Sequence, residues 1–272
     1  MLRRIKKMSP RLPALLLIAF LGSGAIASAQ NLAGRQILEK TIHRKNFSDA
    51  ELKVKIRKSR AGINKEIVLN LFQKNYPEMT ATLAIIQEPE PARGISFLTW
   101  DYLAKDKADQ KWYYLPAINQ YKELNDEQGK KYEDQFGFSM RIFAINLDEA
   151  DHQLLNEEKI NGKPCWKVES VLKNPDSPEG AKAITWVNQQ TFAAEKIQAF
   201  DKTGKMIRQF DLSEEKKFGD SWQEMAGVYQ DLQKGQSVNF QITDANFNSS
   251  LSDELFLSTR LKARAEAVSK PK

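Results

Sequence analysis

Residues 51–60 read ELKVKIRKSR, with Leu52, Val54 and Ile56 separated by Lys53, Lys55 and Arg57. A period of two sends successive side chains to opposite faces, so this run specifies a strand with one buried and one wet face. Ala61-Gly62-Ile63-Asn64 reads as a turn. The returning run IVLNLFQK puts Ile67, Leu69 and Leu71 on one side and Val68 and Phe72 on the other, which is more apolar than a solvated face needs. The pattern continues through TATLAIIQ (80–87), a Pro89/Pro91 break, GISFLTWDYL (94–103), KWYYLP and QYKEL. After residue 160 it resumes with KPCWKVESVLK, AKAITWVNQ, EKIQAFD, the turn Asp201-Lys202-Thr203-Gly204, KMIRQFDL, WQEMAGVYQ and QSVNFQITDAN.

About ten strands with turn signals every 8 to 14 residues point to a mostly β (α+β) fold, one antiparallel sheet with helices on one face. Helical spacing is confined to three places. Ala33, Ile37, Leu38 and Ile42 predict an amphipathic helix over 31–47, a short helix is expected near 146–155, and Ser252 caps another that ends near Leu261. Residues 125–140 are polar and irregular, and 264–272 read as a loose basic tail. With no internal repeat and no Gly/Ser- or Pro-rich linker, residues 30–262 are expected to form one domain, followed by the tail at 263–272.

The first residues carry a different signal. Arg3, Arg4, Lys6, Lys7 and Arg11 precede an apolar run from Leu12 to about Ala27, and Ala27-Ser28-Ala29 has the small residues of a cleavage site. This is the layout of a secretory signal peptide over 1–29, cleaved near Ala29/Gln30, which marks the chain for export. Gly22, Ser23 and Gly24 interrupt the run, which falls short of the ~20 apolar residues of a spanning helix. The leader holds five of the 41 basic residues and none of the 35 acidic ones, leaving 36 against 35 and a net charge of +1. A nucleic-acid partner, which calls for a concentrated basic excess, is thereby disfavoured.

Catalytic chemistry finds little to build on. His43 and His152 are the only histidines and lie over a hundred residues apart; both are expected at the surface. Cys165 lies in the strand-like run PCWKVESV, where a small buried residue is expected, and a single cysteine forms no internal disulfide. No H-x-x-x-H pair, cysteine cluster, G-x-S-x-G elbow, Gly-rich phosphate loop or calcium loop occurs, so no metal and no cofactor is expected. A glycan-active enzyme would need two facing carboxylates, for which Asp101, Glu123, Asp126, Glu133 and Asp134 are candidates. A non-enzymatic role is the expectation.

ARGISFLTWDY, then DQKWYYLPAINQYKEL, PCWKVESV, AITWVNQQTFAAEKIQAFDKTGKMIRQF and WQEMAGVYQDLQKGQSVNFQITDANFNSSLSDELFLSTRLK, in that order, resemble the LolA-like outer membrane lipoprotein-sorting protein family of Gram-negative periplasms over most of 32–262. The segment NDEQGKKYEDQFGFSM matches the family only loosely. The resemblance implies a single curved antiparallel sheet forming an open, incomplete β-barrel, covered by a few helices, with a hydrophobic cavity between them. It implies a soluble carrier that holds the acyl chains of a lipoprotein or lipid and moves them towards the outer membrane, as a monomer. The W-x-Y-L-P pattern further implies an RND-type inner-membrane transporter and an outer-membrane acceptor as partners. Strand aliphatics and aromatics are then the cavity-lining candidates: Leu69, Leu71, Leu83, Ile85 and Phe97 on the early strands, and Trp100, Trp112, Tyr114, Trp186 and Phe210 beyond them, Trp112 and Tyr114 foremost. The alternative is a partner protein of an RND-type transporter whose barrel is filled by its own side chains.

Overall fold

Alternation and turn chemistry together build the sheet seen in the computed structural model. The structure describes residues 23–44, 47–104, 106–125, 127–129, 147–177, 180–219 and 221–269, with side chains from residue 33 to 267. Strand β1 (Asp49–Arg60) returns through Ala61 and Gly62, at φ 48° and 78°, into β2 (Ile63–Asn75). Two left-handed residues give a turn whose twist matches that of the strands it joins. The meander continues as β3 (Met79–Glu88), β4 (Ser96–Tyr102), β5 (Gln110–Leu115) and β6 (Gln120–Leu124), the last two joined by a 3-10 turn at Pro116–Ile118. A second meander comprises β7 (Ala150–Ile160), β8 (Lys163–Leu172), β9 (Lys182–Asn188), β10 (Ala194–Phe200), β11 (Met206–Phe218), β12 (Ser221–Asp231) and β13 (Gln236–Phe247).

Antiparallel pairing of β1 with β13 fuses the two meanders into one 13-stranded sheet of order β6-β5-β4-β3-β2-β1-β13-β12-β11-β10-β9-β8-β7. Strands β6 and β7 are not paired with each other, so the barrel stays open. Helix α1 (Ser23–His43) packs on β7 and β9, and helix α2 (Leu261–Ser269) on β3, β4 and β5. Leu52, Val54 and Leu69 are buried at the sheet's centre, away from both helices. Burial at that position is the work of the sheet's own curl.

Directly paired residues share a side of the sheet, so the register assigns every side chain to a face. One face, called inner here, carries Leu52, Val54, Ile56, Leu69 and Leu71 and extends to Val168 and Val187, where Ile37 and Leu38 of α1 cover it. The other carries Ala81, Leu83, Ile85, Leu98, Trp112 and Tyr114, covered by Phe256, Leu261 and Ala265. The helices thus occupy opposite faces and not one, and this explains why β2 to β5 are apolar on both sides.

Three further expectations are corrected. Residues 147–149 form only a 3-10 turn, and the helix expected over 146–155 is replaced from Ala150 by strand β7, whose Ala150 and His152 point inward. His152 is buried and not superficial: its Nε2–H donates to the Leu147 carbonyl (2.9 Å) and its Nδ1 is hydrogen-bonded to the Ser170 hydroxyl (2.8 Å). Residues 264–269, expected as a loose tail, belong to α2, because Leu261 and Ala265 recur one helical turn apart and pack on the sheet. Ser252 does cap a 3-10 turn, Asp253–Phe256, accepting from the Glu254 N–H. Cys165 is fully buried, and burial pushes its thiol up from the ordinary range. Helix α1 passes through the expected cleavage point at 29/30, while residues 1–22 and most of the divergent 125–140 segment lie outside the described residues.

Candidate functional site

Across β13, β1, β2, β3, β4, β5 and β6 one continuous rung runs Phe247, Ala50, Gln73, Thr82, Thr99, Lys111, Leu124. Two residues deeper, about 7 Å along the strands, the next rung is Ala245, Leu52, Leu71, Ala84, Phe97, Tyr113. The third begins Ile242, Val54, Leu69, Ile86. The inner face is therefore polar at its rim over β2 to β5 and apolar beneath. Thr82 and Lys111 are nonetheless 5 % and 4 % exposed.

A cleft opens there between Leu71, Ala84, Phe97 and Leu124 on its apolar side and Thr82, Thr99 and Lys111 on its polar side, with about 30 Å³ of free space. Gly129 closes over the lysine stem: a Cβ at that position would come within 2.9 Å of Lys111 Cδ. A second cleft of about 20 Å³, lined by Phe47, Phe218, Trp222 and Phe247, lies across the same rim. Phe47 and Phe218 both pack on Phe247, at 5.3 and 4.8 Å between centroids. One apolar cluster containing Leu71 and Ala84 runs beneath and is packed at its far side by Phe47, Phe218 and Phe247, so the two clefts share a single floor.

Helix α1 straps the remainder of the inner face. Gly34 lets it sit directly on β7, since a Cβ there would meet the Leu154 backbone nitrogen at 2.8 Å. Arg35 donates to the Leu147 carbonyl (3.1 Å) and pairs with Asp148 (2.9 Å). Arg44, just past the helix, donates to the Trp222 carbonyl (3.0 Å) and pairs with Glu224.

A model of the family described as "-like: Uncharacterized protein" matches residues 78–263. The chain belongs to that family. No curated protein matches it. Among solved structures it is similar to a DUF1329 family protein from Desulfovibrio piger (18% identity, TM-score 0.73, covering 85% of this chain and 99% of that one). It is also similar to a domain named for outer membrane lipoprotein sorting from Vibrio parahaemolyticus (19%, 0.70, 85% and 99%). A LolA superfamily protein from Nitrosomonas europaea matches at 19% identity and TM-score 0.55, over 82% of this chain and 97% of that one. The fold is thus that of the LolA-like lipoprotein-sorting proteins, as the strand order in the sequence had suggested.

Within this LolA-like sheet the ten cavity candidates divide between the faces. Leu69, Leu71, Phe97 and Phe210 lie on the inner face, where Phe210 stacks on Phe240 at 6.4 Å. Leu83, Ile85, Trp100, Trp112 and Tyr114 pack beneath the C-terminal segment, where Trp100 Nε1 donates to the Phe256 carbonyl (2.9 Å). Trp112 also reaches the edge of the first cleft. Trp186 faces outward, its Nε1 donating to Glu158 (2.8 Å) and its ring flanked by Lys167 and Lys196. The aromatic triplet splits by alternation, Tyr113 inward and Trp112 and Tyr114 outward. Thr82, Thr99, Lys111 and Leu124 were missed; their shared parity with Ala84, Phe97 and Tyr113 was the available signal.

A buried ionic group lies on the side of the sheet that Trp186 occupies, since Lys163 and Asn188 share its parity. Lys163 Nζ lies 2.9 Å from Glu195 Oε1 and 3.4 Å from Glu215 Oε1, and Asn188 donates to Glu195 (2.7 Å). Burial works against the lysine's charge, but the two carboxylates outweigh it and hold its pKa above the ordinary value. Among the described residues no group of three or more His, Cys, Asp or Glu is arranged to hold a metal ion, and no helix is long and apolar enough to cross a membrane.

Proposed function

We propose that the protein is a non-enzymatic periplasmic carrier that takes up the acyl part of a lipoprotein or lipid against its inner face. The observation that carries this reading is the shared apolar floor beneath two clefts on one rim. Each methylene buried there gains about 0.8 kcal/mol, so a chain that cannot cross water alone can travel on such a surface. The resemblance of the fold to a domain named for outer membrane lipoprotein sorting supports the same role. An inner-membrane transporter of the RND type and an outer-membrane acceptor would stand at the two ends of the journey.

The free space of about 30 Å³ is far below the ~300–1,000 Å³ of a ligand pocket, so loading requires more of the inner face to be uncovered beside the floor. Helix α1 is the element suited to move. In its described part only Ile37 and Leu38 are buried large apolar residues, about 3–6 kcal/mol of attachment together. The same small volume favours a second reading, a self-filled partner protein. Lipid extraction and mass spectrometry of the purified protein, with displacement of a fluorescent fatty acid, test the carrier. Absence of both bound lipid and displaceable probe leaves only the self-filled partner.

A further inference from the structure

Resting on the carrier reading, we propose that the rim rung Thr82, Thr99 and Lys111 is a headgroup site and that the cargo is an anionic amphiphile, held by a carboxylate or phosphate oxygen at Lys111 with its chain directed inward. The order of the rungs carries the inference. Lys111 is the charged side chain lining this cleft, and it is 4 % exposed. Its register partner Thr99 and the next partner Thr82 add two hydroxyls on the same rung, that of Thr99 now donating to Asp101 Oδ2 (3.0 Å) and that of Thr82 facing the cleft. Directly beneath come Leu71, Ala84 and Phe97. Polar donors at one depth and an unbroken apolar rung about 7 Å deeper match a molecule with one charged end. An uncharged chain would leave the ammonium without gain, and a cationic headgroup would be repelled.

Burial strengthens the selection. In a low-dielectric cleft a charge-assisted N–H···O contact is about twice as strong as a neutral one, and a few placed polar groups in an apolar site fix which end of a ligand enters. Lys111 already takes part in an interaction within the chain, so binding is an exchange of partners and not the filling of a void. Gly129 lies against the lysine stem, where a Cβ would meet Lys111 Cδ at 2.9 Å.

The test compares a pyrene-labelled fatty acid with its methyl ester on the purified protein near pH 8, where the acid is ionised. The acid is expected to bind at least about tenfold more tightly than the ester, a preference of the size a charge-assisted contact gives. Lys111→Met should bring that ratio to about one, and Lys111→Arg should keep the preference. Melting temperatures report whether both variants fold, because removing one partner of a buried charge is costly; a wild-type acid-to-ester ratio of about one overturns the headgroup site whether or not Lys111→Met folds. A ratio unchanged in Lys111→Met overturns the headgroup site but leaves the carrier. Failure of acid and ester alike overturns the carrier itself. A long-chain alkyl phosphate should displace the labelled acid far better than inorganic phosphate; equal displacement would make this a free-anion site and overturn the amphiphile.

Discussion

Trp112 lies edge-on to Trp100, 4.9 Å between centroids, at 6 % exposure beneath Phe256 and Leu261. Its partners are core partners, so Trp112→Ala should cost about 3–5 kcal/mol and appear as a lower urea midpoint. Phe97, half-buried on the inner rung, should behave the other way round: Phe97→Ala should weaken fatty-acid binding severalfold with a smaller stability loss. If both variants lose stability equally and binding not at all, the assignment of faces is wrong. Alternation made the division of the triplet legible in the sequence, but not which half points inward, because that depends on curl and on where the C-terminal segment lies. Lys163 is another residue whose role appears only in three dimensions. Glu195 and Glu215 have 1 % and 7 % of their side chains exposed, and Glu215 Oε2 has no hydrogen-bond partner. Lys163→Met would leave two buried carboxylates without their ammonium. The expected loss, read by urea unfolding at neutral pH, is below the about 3–5 kcal/mol of a fully buried pair, since the lysine is partly exposed.

Elements were legible wherever period two was clean and illegible where it was broken. Strand β7 is an edge strand with a register shift between Leu154 and Asn156, so the period of two breaks in its middle. Bulges that interrupt edge strands guard against pairing with other chains, and here the same irregularity hides the strand. Helix α2 was obscured for a different reason: Lys262 and Glu266 are exposed, while a single leucine and Ala265 do the packing. Its docking is reinforced upstream, where Lys74 reaches the Leu251 carbonyl (2.6 Å) and pairs with Asp253 (2.7 Å), and Tyr76 donates to the same carboxylate (2.9 Å). Burial and that carboxylate together push the Tyr76 phenol well above its usual range. Leu261→Ala should therefore cost about 2–5 kcal/mol and leave Trp100 and Trp112 wetter, seen as a red shift of tryptophan emission. Unchanged emission would mean that α2 does not seal this face.

Among the described residues the whole sheet hangs on the β1–β13 seam, the pairing that joins the two meanders. Asp49 sits at its rim end, 2 % exposed, accepting from the Ser48 hydroxyl (3.0 Å), the Ser249 N–H (2.8 Å) and the Ser249 hydroxyl (3.1 Å). Burial acts to raise its pKa, yet these hydrogen bonds outweigh it and hold the carboxyl below the ordinary range. A folded-state pKa lower than the unfolded one makes ionised Asp49 stabilising. The contribution is complete above about pH 4, the unfolded aspartate range, and is lost as the pH falls through the lower folded value. Asp49→Asn keeps the shape but weakens the acceptor, so it should cost about 1–3 kcal/mol at pH 7. Denaturant titrations of both proteins from pH 7 to the acid limit should show a gap that is constant down to about pH 4 and narrows below it. Other lowered carboxylates, such as Glu66 and Asp253, are solvent-screened and common to both proteins, so they cancel in the difference. A gap that widens in acid would reverse the sign and show that Asp49 does not hold the seam as an anion.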